Sequence, residues 1–252
     1  MITAITMWMF FVIIVNLRLL YAHRSVTHNH VKFHPWLIIL THISVWLINS
    51  KYSAEWARAW ATVHLEHHKH VDSKSDPHSP HFKTLSDMMN SRRHWYTKSE
   101  IDKITSNLDV PTFKIDQWLE KYQIGPWVLL AICLLLFQWW GILLWIVCRT
   151  ERFLHIVMIT YGCHKGLGYN NTKKTRSNDR SRNVTNWPFM FFYLGEELHG
   201  NHHRWPGRAN LAVRWWEIDL GYWFLKLLSM VGLVSITNKQ HNIKNLKFQL
   251  EK

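Results

Sequence analysis

Apolar residues run almost unbroken from Thr3 to Ala22, and polar ones take over at His23. About 20 apolar residues suffice to cross the hydrocarbon of a bilayer, so residues 1–22 are expected to form a transmembrane helix. Arg18, near its end, is expected to snorkel toward the headgroups. No small-residue cleavage site follows, which favours an anchor over a signal peptide. The helix should continue past the membrane surface and carry His23 and His28 with it. Residues 35–49 are apolar but too few for a span, and read as an interfacial, partly buried helix. Lys51 to Ile124 is polar, and Asp76-Pro-His-Ser-Pro80 marks a loop by its two prolines. The next apolar run, Pro126 to about Trp145, resumes after Arg149–Arg152 and reaches Tyr161. It accommodates two spans within residues 125–162 if the chain turns near Gln138–Gly141. Residues 165–185 read as a loop, Trp187–Leu198 as an aromatic approach to a histidine cluster, and Ala212–Leu233 as an amphipathic stretch on or beside the membrane. The pattern predicts one all-α membrane domain over residues 1–252, with about three to four transmembrane helices. Residues 50–124 and 163–240 would form its helical cap.

Composition sharpens this picture. Sixteen Trp, 12 Phe and 8 Tyr in 252 residues suit interfacial aromatic belts. The formal charge of +13 lies mostly between the apolar runs. Since no motif that reads nucleic acid accompanies it, nucleic-acid binding is set aside in favour of basic cytoplasmic loops. That places the cap on the cytoplasmic side of a multi-pass protein, of a bacterial inner membrane or an endoplasmic-reticulum-type one. Cys133, Cys148 and Cys163 lie in apolar stretches without pairing or zinc-type spacing, and read as small buried residues.

The chemistry is in the histidines. Eight of 18 fall into three clusters: His23-Arg-Ser-Val-Thr-His28, His64-Leu-Glu-His67-His68 and His199-Gly-Asn-His202-His203. On a helix, positions i, i+3 and i+4 share one face, so each H-x-x-H-H motif turns three imidazoles to one side. Neighbouring residues diverge by about 100°, so His67/His68 and His202/His203 can each serve two adjacent metals. His23 and His28, about 140° apart on an α-helix, could reach different ions from one helix end. Glu66, the only carboxylate inside a cluster, points off the histidine face. An all-imidazole set without thiolate fits iron better than structural zinc. A dimetal centre, membrane embedding and no hydrolase nucleophile together point to oxygen chemistry on a lipid-like substrate. For the sites to meet on one membrane face, the chain must cross an even number of times between clusters.

The motifs around these clusters resemble the membrane fatty acid desaturases of the acyl-CoA, stearoyl-CoA-type group, especially bacterial and plant members. The resemblance rests on His23-Arg24…Thr27-His28, Trp60-Ala-Thr-Val-His64-Leu-Glu-His67-His68, Asp76-Pro-His-Ser-Pro80, Asp179-Arg-Ser-Arg-Asn183, Gly195-Glu196-Glu-Leu-His199-Gly-Asn-His202-His203-Arg-Trp-Pro206 and Trp215-Trp-Glu-Ile-Asp219, in family order. It implies two irons held by nine histidines: His23, His28, His64, His67, His68, His199, His202, His203 and, at the end of the last span, His164. It implies insertion of a cis double bond, Δ9-type, into a long-chain acyl-CoA or acyl-lipid, with O2 as co-substrate. Electrons would come from a separate donor, a b-type cytochrome or ferredoxin with its reductase, and membrane lipids would surround the chain. His78 is a candidate supporting residue, His155 an alternative ligand by proximity, and Arg24 a candidate for binding substrate phosphate. The chain departs from the family pattern at Leu65 and Gly200, where Arg and Asn are usual, and at Thr160, where an asparagine helps hold a metal-bound water. It also has room for one span, not two, before the first cluster. A lipid hydroxylase or ketolase on the same scaffold, and a weakly active or inactive metal-binding homologue, stay open beside the desaturase reading.

Overall fold

The apolar N-terminal stretch folds as one long helix, α1 (Ile2–Thr27). The computed structural model describes residues 2–49, 53–94, 96–170, 177–184 and 189–237. Within them α1 is the one helix long and apolar enough by itself to cross a membrane. The expected loop at residues 171–176, the start of the aromatic stretch at Trp187 and the cap boundary at residue 240 lie outside the described residues. Two stretches of α1, Val12–Asn16 and Tyr21–Thr27, are π-helical. The chain then forms a short strand, β1 (Val31–Phe33), and α2 (Pro35–Asn49), most of whose side chains are buried. α3 (Ser53–His70) carries the second histidine cluster. Next come α4 (Leu85–His94), α5 (Lys98–Ile104) and α6 (Lys114–Lys121). α5 opens on a capping box: the Glu100 N–H donates to Thr97 Oγ1 at 3.3 Å and the Thr97 N–H to the Glu100 carboxylate at 2.7 Å.

A helical hairpin follows. α7 (Gly125–Phe137) meets α6 at 94° and packs on α2. Gly125 makes that crossing possible, because a Cβ there would lie 2.1 Å from the Trp46 carbonyl oxygen. The chain reverses over Gln138–Gly141, and α8 (Trp140–His155) returns against α7. A Cβ on Gly141 would stand 2.2 Å from the Cys133 carbonyl oxygen, so only glycine lets the two helices approach this closely. α8 runs on through a third π-helical stretch, Ile156–Gly162, into a last turn, Cys163–Lys165. The 13 residues of α7 extend about 20 Å, short of the roughly 30 Å of a bilayer's hydrocarbon. One self-sufficient span, rather than three or four, is what helix length and apolar composition support among the described residues.

The C-terminal part of the cap consists of α9 (Phe189–Tyr193), α10 (His199–Arg204), α11 (Leu220–Met230) and β2 (Val234–Ile236). β2 pairs antiparallel with β1, Val31 opposite Ile236 and Phe33 opposite Val234. The fold is therefore helical with a two-stranded clasp, not purely α. The clasp ties the segment after His28 to the end of the cap, and the Thr237 N–H extends it by donating to His30 O at 2.8 Å. Leu17, Leu20, Tyr21, Ala57, Ala61, Leu225 and Val234 form one core that joins α1, α3 and α11. Each such leucine contributes about 1.5–3 kcal/mol by leaving water, which fixes the first and second histidine clusters against each other.

Arg18 does not snorkel. It is 3% exposed, its guanidinium pairs with Glu151 of α8 and stands 5.1 Å over the Trp56 ring. A carboxylate and an aromatic face inside the protein replace the headgroups that sequence reasoning assigned to it.

Candidate metal centre

Four segments deliver the imidazoles. α3 presents His64, His67 and His68 on one side, α10 presents His199, His202 and His203, and the extension of α8 ends at His164. His23 and His28 come from the end of α1, where the His28 N–H donates to His23 O at 3.1 Å, an i→i+5 bond. That π-winding stacks the two residues nearly over one another. They therefore enter the same group, rather than the two groups that α-helical spacing would have allowed.

Two groups result. His23, His28, His64 and His202 have ligand atoms all within 4.8 Å of one another, as do His67, His164, His199 and His203. His68 joins the first group, its Nε2 lying 3.0 Å from His64 Nε2 and 2.7 Å from His202 Nε2. The consecutive pairs divide: His67 and His203 face one group, His68 and His202 the other. The nine imidazoles named from the sequence lie in these two groups. His155 belongs to neither group, and its Nδ1 stands 4.0 Å from Glu151. Glu66 turns outward to Lys69 and His70.

Buried carboxylates decide which ring nitrogen carries the proton. Asp76 lies 2.9 Å from His67 Nδ1 and Asp72 2.8 Å from His164 Nδ1, and Glu196 pairs with His23 Nδ1. Asp179, 3.8 Å from His203 Nδ1, is beyond hydrogen-bond reach and accepts from the Ser181 N–H instead. A proton held at Nδ1 leaves the Nε2 lone pair free. Those lone pairs converge: His164 to His199 at 2.9 Å, His203 to His199 at 3.0 Å and His67 to His203 at 3.2 Å. Facing lone pairs repel unless a cation lies between them. Nitrogens about 2.1 Å from one ion stand roughly 3.0–3.4 Å apart at octahedral or tetrahedral angles, so the spacing and the donor set both fit two metal ions.

The electrostatics agree. Burial and neighbouring imidazoles hold His64, His199, His202 and His203 well below the ordinary histidine value. Burial lowers His67 as well, but the charge of Asp76 and its hydrogen bond outweigh it and raise the group. Burial alone would raise the Asp72 carboxyl, yet His164 holds it down to about 2. Glu196 is likewise raised by burial but held at about 2, by His23 and Arg24. Asp72 is the residue that sequence reasoning missed. It lies in a turn at φ 51°, outside any periodic pattern, and its only signal was an acidic residue just after the second cluster.

Asp76→Asn is expected to weaken metal affinity roughly 10–100-fold, measured by competition with a chelator. Both Asp76 oxygens accept from backbone N–H groups, those of Asp72 and His78, at 2.7 Å. An amide in either orientation sets its NH2 against one of those donors, which tilts the group that orients His67.

Metal removal should expose the histidine electrostatics. His64, His199, His202 and His203 are held down in the folded chain, whereas unfolded histidine titrates near 6.5. Below that pH the unfolded chain binds more protons, so the stability present above about pH 6.5 is lost as pH falls. Each group contributes up to about 1.4 kcal/mol per pH unit. Unfolding of the chelated protein should therefore begin at higher pH than that of the loaded one.

The other candidates separate. Arg24 is 1% exposed and turned inward, donating to Asp219 at 2.9 and 3.1 Å and to Glu196 at 3.2 Å. It binds carboxylates of its own chain, which corrects the assignment to substrate phosphate. A cavity of about 50 Å³ opens beside the imidazoles of His23, His64, His67 and His199, and Thr160, His78 and Trp60 line it. Trp60 stacks on the His64 ring at 4.7 Å. The His78 backbone supports Asp76, and its ring lies 6.1 Å from that of His67.

Known proteins have similar sequences. An sn-1 stearoyl-lipid 9-desaturase of Anabaena variabilis is 27% identical over 84% of this chain and 75% of its own length. Delta-9 acyl-lipid desaturase 1 of Arabidopsis thaliana is 27% identical over 84% of this chain and 68% of its own. An acyl-CoA C20 Delta5-desaturase of Anemone leveillei is 26% identical over 84% and 66%. These relatives are named as desaturases, which are oxidoreductases, and the family model for fatty acid desaturases matches residues 3–228, from the first turn of α1 to the end of α11 and across both imidazole groups. The chain is a member of the fatty acid desaturase family.

Proposed function

We propose that this protein is an O2-dependent acyl desaturase that places a cis double bond, Δ9-type, in a saturated long-chain acyl-CoA or acyl-lipid. The observation that carries the reading is the pair of converging imidazole groups beside one cavity. His23, His28, His64, His68 and His202 would hold one iron, and His67, His164, His199 and His203 the other. When bound, the irons supply the redox chemistry with O2 that removes hydrogen from two adjacent carbons. The chain's own residues prepare that chemistry. Asp72, Asp76 and Glu196 keep the protons of His164, His67 and His23 on Nδ1 and their Nε2 lone pairs inward. Trp60, Ile156 and Ile159 on the cavity wall position an alkyl chain and exclude water. Thr160 lines the same wall, where the family has an asparagine, and its hydroxyl would face whatever is bound beside the imidazoles. Two electrons come from a separate carrier, a b-type cytochrome or a ferredoxin with its reductase; the basic surface suits an acidic one.

In this reading α1 and the α7–α8 hairpin lie in the membrane and the imidazoles lie on its cytoplasmic side. Support comes from the exposed apolar side chains at the hairpin tip: Leu135 is 84% exposed, with Leu134, Leu136, Trp139, Trp140 and Leu143 beside it. A patch of that kind is covered by lipid or protein. The test is expression in a desaturase-deficient host with an electron donor, followed by fatty-acid analysis. New monounsaturated chains are expected; their absence with iron-loaded protein in the membrane would refute the reading.

A further inference from the structure

The cavity beside the imidazoles has a second wall, and that wall is polar. Arg18, Glu151, His155 and Asn49 line it. Arg18 and Glu151 form a buried ion pair, their side chains 4% and 7% exposed. Arg18 Nε, His155 Nδ1 and Asn49 Nδ2 are buried without a hydrogen-bond partner among the described residues. The guanidinium is held in place by Glu151 and by the Trp56 ring 5.1 Å below it. A wall that met only methylenes would gain nothing from these groups. A buried ion pair is seldom more stabilising than apolar residues of the same volume, and each unpartnered donor or acceptor adds a cost. The cavity, at about 50 Å³, exceeds the roughly 10–15 Å³ that admits one water-sized group.

We propose that the acyl chain accepted by this cavity carries a hydroxyl group, bound by Arg18, Glu151 and His155. This rests on the acyl-desaturase reading and narrows its substrate class. A hydroxyl both accepts and donates, so its oxygen can accept the Arg18 Nε–H while its own hydrogen is donated to Glu151 or His155. A carboxylate fits worse, because Glu151 already balances the Arg18 charge and a second anion would stand uncompensated beside it. The same cavity touches His23, His64, His67 and His199, so the oxygen-bearing part of the chain enters next to the metal centre.

The test measures binding on the full chain loaded with zinc, which holds the site but does not turn over. Octadecanoic acid and a series of hydroxyoctadecanoic acids, the hydroxyl moved along the chain, compete with a fluorescent polyene fatty acid in detergent. At least one isomer should bind at least about tenfold more tightly than the plain chain. The Arg18→Met/Glu151→Leu double variant should lose that preference and bind the plain chain as well as before, and His155→Phe should reduce it. Equal binding of all chains by the metal-loaded wild type, meaning that only water meets the wall, overturns the proposal. So does a preference that survives in a folded, metal-loaded double variant. The wild-type comparison stands even if a variant fails to fold. Because turnover is not read, a selective cavity in a chain that never desaturates would sink the desaturase reading and leave the hydroxyl site in place.

Discussion

Alanine at position 202 is expected to abolish desaturation and to lower the metal content from two ions per chain toward one. His202 is the hub of its group: its Nε2 stands 3.1 Å from that of His23, 3.2 Å from His64 and 2.7 Å from His68. Its removal opens the first group on the side that faces the second, through the adjacent His203. Metal ions contribute several kcal/mol of charge stabilisation to the reactions they assist, and each 1.36 kcal/mol is a factor of ten. The activity should therefore fall by at least about 10³-fold. Metal analysis of the purified protein, beside turnover in the desaturase-deficient host, measures both effects. The variant should still insert in the membrane, since α1 and the hairpin are untouched. Two tightly bound ions together with activity within tenfold of wild type would show that His202 is not a ligand.

What could be read from sequence follows the regularity of the backbone. His64, His67 and His68 and the matching trio on α10 lie on α-helices, where the i, i+3, i+4 rule holds, so their convergence and the division of adjacent residues were legible. The same rule left the grouping of His23 with His28 undecided, because the end of α1 winds as a π-helix. His164 stands alone after another π stretch, and no spacing singles it out; only the resemblance to a family did. The orienting carboxylates were less visible still. Asp72 comes from an irregular segment, and its role depends on a partner 92 residues away. β1 and β2 have three residues each, too few for a period-two pattern to emerge. Arg18 looked like a headgroup residue because its partner, Glu151, is 133 residues distant.

Arg24→Met is expected to cost about 3–5 kcal/mol of stability, the usual cost of breaking a buried ion pair from one side. The Arg24 guanidinium reaches both Asp219 oxygens, at 2.9 and 3.1 Å, Glu196 at 3.2 Å, and the carbonyls of Ala209 and Leu194 at 3.0 and 3.3 Å. Methionine fills the space but leaves two carboxylates buried and uncompensated. The site is built tightly around this pair: Gly195 has φ 93°, and a Cβ there would lie 2.0 Å from Asp219 Oδ1. Arg24→Lys keeps the charge but cannot fork between the two acids, so it should recover only part of the loss. The damage should reach the metal as well, because Glu196 also orients His23. Unfolding midpoints and metal retention of the three proteins in detergent test this. A phosphate-binding arginine would behave differently, raising KM for acyl-CoA while leaving the unfolding midpoint and the metal content unchanged. Its side chain turns inward onto α11's N-cap aspartate, so stability and metal retention, rather than KM, are where the effect should fall.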